Sequence, residues 1–133
     1  MPLLQLIYAS HPFGFDSAVL SAILIDARRC NARDDITGML ICRGDLYLQL
    51  LEGPPDAVEA TCRRIAADDR HVEMRVLSRE MVNERLFPLW SMRDDPAQSW
   101  LWTKDEVEAG ALEAAPASAV QAVFQRLATE DAS

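Results

Sequence analysis

Five positions in the sequence carry polar or polarisable groups where a plain core would not place them. Tyr8 ends the apolar run Leu3–Ala9, and alternation puts its phenol on the face shared by Leu4 and Leu6. Gln49 sits inside Leu46-Tyr47-Leu48-Gln49-Leu50-Leu51-Glu52-Gly53. An amide in so apolar a strand is costly unless both its donor and its acceptor are satisfied. Asn31 follows an amphipathic segment, and Trp90 and Met92 share a parity on a late apolar stretch. Each residue also has an ordinary reading. The tyrosine can bond any nearby carbonyl, the glutamine can face solvent at an edge, the asparagine can cap a helix C-terminus, and the tryptophan and methionine can fill core. Taken together they point elsewhere: a phenol, two amides and an indole placed around one flat ligand.

The rest of the chemical inventory is sparse. His11 and His71 are the only histidines, and neither has a partner at metal-ligand spacing, so no metal site is expected. Hydrolase, phosphate-loop and dinucleotide motifs are absent. Gly38, Gly44 and Gly53 read as turn punctuation, and Asp68-Asp69 as a solvated helix end. An acylphosphatase-like enzyme would share the expected order of elements. It would need an arginine in the loop after the first strand, where this chain has His11 and Pro12.

Composition narrows the partners. The chain has 133 residues and a net charge of -8, with acid concentrated late, at Asp94, Asp95, Asp105, Glu106, Glu108, Glu113, Glu130 and Asp131. No basic cluster is suited to a nucleic-acid backbone or an anionic membrane, whereas one ligand phosphate needs only one or two local donors. Cys30, Cys42 and Cys62 are odd in number, form no C-x-x-C and lie among apolar residues, as buried thiols of a reducing compartment do. Neither a signal peptide nor a membrane-spanning run is legible, so a cytoplasmic location is expected.

The elements that must position these groups follow from periodicity. Leu3–Ala9 reads as a strand and Ser10–Phe15 as a loop. A helix capped by Asp16 or Ser17 runs to about Cys30 or Asn31, with Val19, Leu20, Ile23, Leu24 and Ala27 on one stripe. Thr37–Cys42 and Leu46–Glu52 form a hairpin about Arg43-Gly44-Asp45. Pro54-Pro55 launches a second helix with Val58, Cys62, Ile65 and Ala66 inward, and Val72, Met74 and Val76 alternate as a strand. A further strand is expected near Leu89–Arg93. The order predicts an α+β, ferredoxin-like βαββαβ sheet with an additional strand and both helices on one face. A C-terminal two-helix cap, Lys104–Leu112 and Ser118–Thr129, covers the other face. Residues 1–95 form the ligand-binding domain, and 96–133 the cap and oligomerisation or output extension.

These segments closely resemble the BLUF family, the blue-light sensors that use flavin. The resemblance lies in Leu6-Ile7-Tyr8-Ala9-Ser10, Asn31, Ile36-Thr37-Gly38-Met39-Leu40, Tyr47-Leu48-Gln49-Leu50-Leu51-Glu52-Gly53-Pro54, Asp68-Asp69-Arg70-His71 and Trp90-Ser91-Met92, and spans about residues 3–93. It implies a non-covalent flavin, usually FAD with FMN or riboflavin as alternatives, held between the two helices. It implies that Tyr8 is the photochemical electron and proton donor and that Gln49 bridges the phenol to the flavin N5/O4 edge. Asn31 then holds the C4=O/N3 edge, Arg70 and His71 lie near the pyrimidine side, and Ile23, Leu24 and Ile65 contact the ring. Trp90 and Met92 carry the signal. The implied protein is a photoreceptor without catalytic turnover, homo-oligomeric, acting on a downstream protein and not on nucleic acid or membrane. A flavin-binding interaction module that has lost light sensing is the alternative, with the acylphosphatase-like enzyme behind it.

Overall fold

Two strands of the computed structural model are buried on both of their faces, and the rest of the fold is arranged to cover them. The structure describes residues 2–12, 17–43, 46–67, 71–87, 93–96 and 101–132. Five strands, β1 (Leu3–Pro12), β2 (Thr37–Arg43), β3 (Leu46–Gly53), β4 (His71–Val82) and β5 (Arg93–Pro96), form one sheet in the order β4-β1-β3-β2-β5. The first four pair antiparallel, and β5 joins β2 in parallel. Every residue of β3 is buried, as the near-unbroken apolar run requires of a strand covered on two sides.

Strict alternation sorts the sheet into two cores. Leu4, Leu6, Tyr8, Leu40, Tyr47 and Leu51 face helices α1 (Ser17–Arg33) and α2 (Pro55–Ala66), where they meet Ile23, Leu24 and Val58. Ile7, Ala9, Met39, Ile41, Leu48 and Leu50 face the opposite way, against Phe87 and the C-terminal helices. The expected ferredoxin-like sheet with an added strand and a helical cover is what the chain forms.

Boundaries differ from expectation in instructive ways. β1 continues through His11 to Pro12, because β4 is long enough to pair with it as far as His71. The β1–β4 register shifts between Ile7 and Tyr8, where β4 accommodates Leu77 as an extra residue. α1 runs on to Arg33, so Asn31 lies within its last turn and is not a C-cap; the left-handed residue after the helix is Asp35, at φ 59°. Of the strand expected near Leu89–Arg93, residues 89–92 lie outside the described residues, and β5 begins at Arg93.

The cap is three helices rather than two: α3 (Lys104–Glu108), α4 (Ala111–Ala114) and α5 (Ala117–Ala132). Gly110, at φ 89°, breaks the expected Lys104–Leu112 helix. Thr103 starts α3 with a reciprocal cap: the Glu106 N–H donates to Thr103 Oγ1 at 3.1 Å and the Thr103 N–H to Glu106 Oε1 at 2.9 Å. These bonds hold the Glu106 carboxyl below its usual range. Polar ties add direction to the apolar packing. Arg43 donates to the Trp102 carbonyl at 2.8 Å, and Gln121 Nε2 donates to Ser78 Oγ and Glu80 Oε2 at 2.9 and 2.7 Å.

Gly38 is not turn punctuation. It lies inside β2, opposite Leu51, and a β-carbon there would drive into the Leu50 carbonyl of β3. Gly53 is similarly close to the Asp35 carbonyl, 2.7 Å from where its β-carbon would stand. Gly38→Ala should therefore force the two strands apart and lower the urea-unfolding free energy by roughly 1–3 kcal/mol, the usual cost of overpacking. An unchanged midpoint would show that the strands separate without penalty.

Candidate functional site

Tyr8 and Gln49 are direct partners across the β1–β3 ladder. Directly opposed residues carry their side chains on the same face with β-carbons about 5 Å apart. That face is the one the helices cover, and the residues are 0% and 4% exposed. A phenol and a primary amide are thus neighbours inside a core built mainly of leucine, isoleucine and valine, which also holds Tyr47.

Between α1, α2 and the sheet lies a cavity of about 230 Å³. An apolar void of about 150 Å³ already admits a benzene-sized guest. α1 contributes Ile23, Ala27 and Asn31, spaced at four-residue steps along one stripe. α2 contributes Thr61 and Ile65 one turn apart, and Gln49 reaches the cavity from β3. Asp26, Arg29, Cys30 and Arg64 complete its lining. Arg29 Nη2 meets Asp26 Oδ1 at 3.4 Å with both side chains largely in solvent, a contact of little energetic weight.

The lining suits a flat heterocycle. Ile23, Ala27 and Ile65 offer apolar surface for the ring faces, while Asn31 and Gln49, 1% and 4% exposed, bring two amides, each with a donor and an acceptor. Thr61 is 2% exposed, and its hydroxyl has no hydrogen-bond partner among the described residues. An orphan hydroxyl in a cavity wall is the kind of group a polar ligand satisfies. Burial pushes the neighbouring Cys62 thiol up from its ordinary pKa, which keeps it a protonated thiol rather than a nucleophile. Among the described residues no group of three or more His, Cys, Asp or Glu is placed to hold a metal ion.

Ile23, Asn31, Gln49 and Ile65 are therefore brought to one cavity. Tyr8 and Leu24 are buried in the same core without forming the wall themselves. Arg70, Trp90 and Met92 lie outside the described residues, as does the Asp68-Asp69 pair. His71 opens β4 opposite Pro12, and its side chain is outside those described.

Sequence reasoning passed over a polar stitch beside this site. Glu52 lies three residues beyond Gln49 on β3 and is fully buried on the cap side. Its carboxylate accepts from the Leu86 N–H at 2.8 Å, the Phe87 N–H at 2.9 Å and Gln5 Nε2 at 3.3 Å. Arg85 donates to Thr37 Oγ1, the Glu52 carbonyl and the Asp35 carbonyl, at 2.9, 3.2 and 2.8 Å. The segment preceding Trp90 and Met92 is thus fastened both to the strand that carries Gln49 and to the turn that follows Asn31. The available signal was the acidic residue ending an apolar strand, since a buried carboxylate must be met by donors.

A sheet backed by two helices, with a cavity between them rimmed by buried amides, defines a small-molecule-binding α+β module. The chain belongs to the BLUF family, "Sensors of blue-light using FAD", which it matches over residues 3–93. It is similar to the dark-state structure of the BLUF protein BlrB, with 30% identity and a TM-score of 0.79 over 96% of each chain. Photoactivated adenylate cyclase subunit beta of Euglena gracilis is 42% identical over 69 residues, 52% of this chain and 8% of that protein. The blue light- and temperature-regulated antirepressor BluF of Escherichia coli (strain K12) is 39% identical over 71 residues, 52% of this chain and 17% of that protein. The chain thus matches less than a fifth of the length of these two relatives. No helix among the described residues is long and apolar enough to cross a membrane.

Replacing Glu52 by Ala should orphan the Leu86 and Phe87 amides. We expect their hydrogen exchange to accelerate well beyond that of β1 and β3, with a loss of roughly 3 kcal/mol in global stability. Protection unchanged at these two amides would show that the carboxylate does not hold the segment.

Proposed function

We propose that this chain is a blue-light sensor that binds a flavin non-covalently in the cavity between α1 and α2 and has no catalytic turnover of its own. The observation that carries the reading is the Tyr8–Gln49 pair: a redox-capable phenol directly opposite a buried amide that lines the cavity beside Asn31. A bound flavin supplies the blue absorption and an oxidising excited state; the protein supplies position and hydrogen bonds.

In this reading Tyr8 is the electron and proton donor, its proton leaving from Oη. The Gln49 amide would stand between that phenol and the flavin N5/O4 edge and relay the proton, and electron and proton would both return to Tyr8 on recombination. Rotation or tautomerisation of the amide exchanges its donor and acceptor, which reverses its hydrogen-bonding pattern. Asn31 holds the C4=O/N3 edge, Ile23, Leu24 and Ile65 contact the ring, and Arg70 and His71 serve the pyrimidine side. Arg29 and Arg64 in the cavity lining favour a phosphorylated flavin, FAD or FMN, over riboflavin.

One exchanged hydrogen bond is worth about 1 kcal/mol net, so it works by biasing an element with two close states. β3 leads from Gln49 to Glu52, and Glu52 holds the segment that precedes Trp90 and Met92, which makes this the proposed signal route. Residues 1–95 form the sensor and 96–133 the cap, through which a homo-oligomer and a downstream protein are contacted. A cytoplasmic location goes with this reading.

The purified protein should carry oxidised flavin and show a small, reversible red shift of its visible absorption under blue light. A colourless protein that refuses added flavin overturns the proposal, and stable flavin binding without a shift favours a light-insensitive binding module. Tyr8→Phe and Gln49→Leu should each abolish the reversible shift while flavin stays bound. Either variant cycling like the parent removes that residue from its role. Chromatography of flavin released from the protein distinguishes FAD, FMN and riboflavin.

A further inference from the structure

Thr61 occupies a position that neither helix formation nor core packing explains. It lies inside α2 on the stripe of Val58 and Ile65, 2% exposed and facing the cavity that Asn31 lines from α1. Threonine is a weaker helix former than alanine or leucine, and an isosteric valine would fill the same core without burying a hydroxyl. A threonine in a helix interior commonly settles its hydroxyl on the carbonyl four residues back, which here is that of Ala57. It does not do so: Thr61 Oγ1 has no hydrogen-bond partner among the described residues and is sealed from solvent.

A buried, unsatisfied hydroxyl at the wall of a ligand cavity is a group held ready for a ligand. We infer that the Thr61 hydroxyl donates a hydrogen bond to an acceptor atom of the bound flavin not served by Asn31 or Gln49, a third polar contact supplied by α2. This rests on the flavin reading above and adds to it a binding residue from the second helix. Its consequence is selectivity. A heterocycle of the same shape lacking that acceptor would leave the hydroxyl buried and unpaired, and would be bound less well than flavin.

The test compares Thr61→Val, which keeps the shape and removes the hydroxyl, with Thr61→Ser, which keeps the hydroxyl. Flavin dissociation constants come from dilution of the flavin-loaded proteins, ring vibrations from infrared spectra of the bound flavin, and folding from far-ultraviolet circular dichroism. The valine variant should fold normally, bind flavin roughly five- to tenfold more weakly and shift a flavin carbonyl or ring band to a freer position. The serine variant should restore both affinity and band position. Unchanged affinity and vibrations in Thr61→Val overturn the inference while leaving the flavin reading intact. Weakened binding in both variants, with no band shifted, also overturns it, because methyl packing would then be the cause. A parent protein that takes up no flavin overturns both readings together.

Discussion

Burial of β1 and β3 on both faces is the constraint from which the other features follow. A slip of one residue turns every side chain of a strand to the opposite face, and in a strand covered on both sides it brings the residues of each core into the other. The Tyr8↔Gln49 register is therefore held by many contacts remote from either side chain, among them Leu4, Leu6 and Leu51 on one face and Ile7, Leu48 and Leu50 on the other. Placing a phenol opposite an amide in this setting needs no dedicated scaffold. It needs only that two polar residues take positions of like parity in a register the apolar residues already define.

The same two-sidedness gives the sheet two distinct duties. On the helix side the core is interrupted by a cavity, and the groups around it are ones that a continuous core would avoid: Asn31, Gln49 and Thr61. On the cap side the packing is continuous from Met39 to Phe124, where the Phe87 and Phe124 rings meet edge to face at 6.5 Å between centroids. Glu52, Gln5 and Ser78 are buried polar residues there; backbone and side-chain donors meet the Glu52 carboxylate, and Gln121 donates to Ser78 Oγ. Buried polarity thus has two settings in this molecule, one within the packed cap-side core and one around the cavity on the helix side.

How much of this was legible beforehand follows from the range of the interactions involved. Alternation in Leu3–Ala9 and Leu46–Gly53 is local and strong, so the strands and the sheet class could be read from spacing, whereas the common face of Tyr8 and Gln49 depends on the β1–β3 register and was only implied by the family resemblance. The end of α1 was read two to three residues short because Asn31 resembles a cap; its burial in the cavity lining is a tertiary feature that spacing along one segment does not reveal. The role of Gly38 depends on the approach of the Leu50 carbonyl from the neighbouring strand. The Glu52 and Arg85 bonds join residues more than thirty positions apart, and nothing in either segment alone announces the partner. Thr61 was hidden for a different reason: at a stripe position, threonine reads as a small β-branched filler, and only the cavity shows that its hydroxyl has been left open.

A weak chemical event at Gln49 need not move a large mass to be felt on the cap side. Gln49 points toward the helices, while its immediate neighbours Leu48 and Leu50 point into the cap core, so any backbone adjustment at residue 49 is imposed on both. Close-packed interiors respond to such displacements by changing between discrete arrangements rather than by yielding smoothly. The cap rests on that core through Val120, Phe124 and Leu127, and among the described residues polar contacts at Arg43, Arg75, Ser78 and Glu80 tie it to the sheet. A cover held by a broad apolar contact can shift as a unit while losing little of its buried area. In the proposed reading, that is what lets one exchanged hydrogen bond on the ligand side become a change of surface on the other.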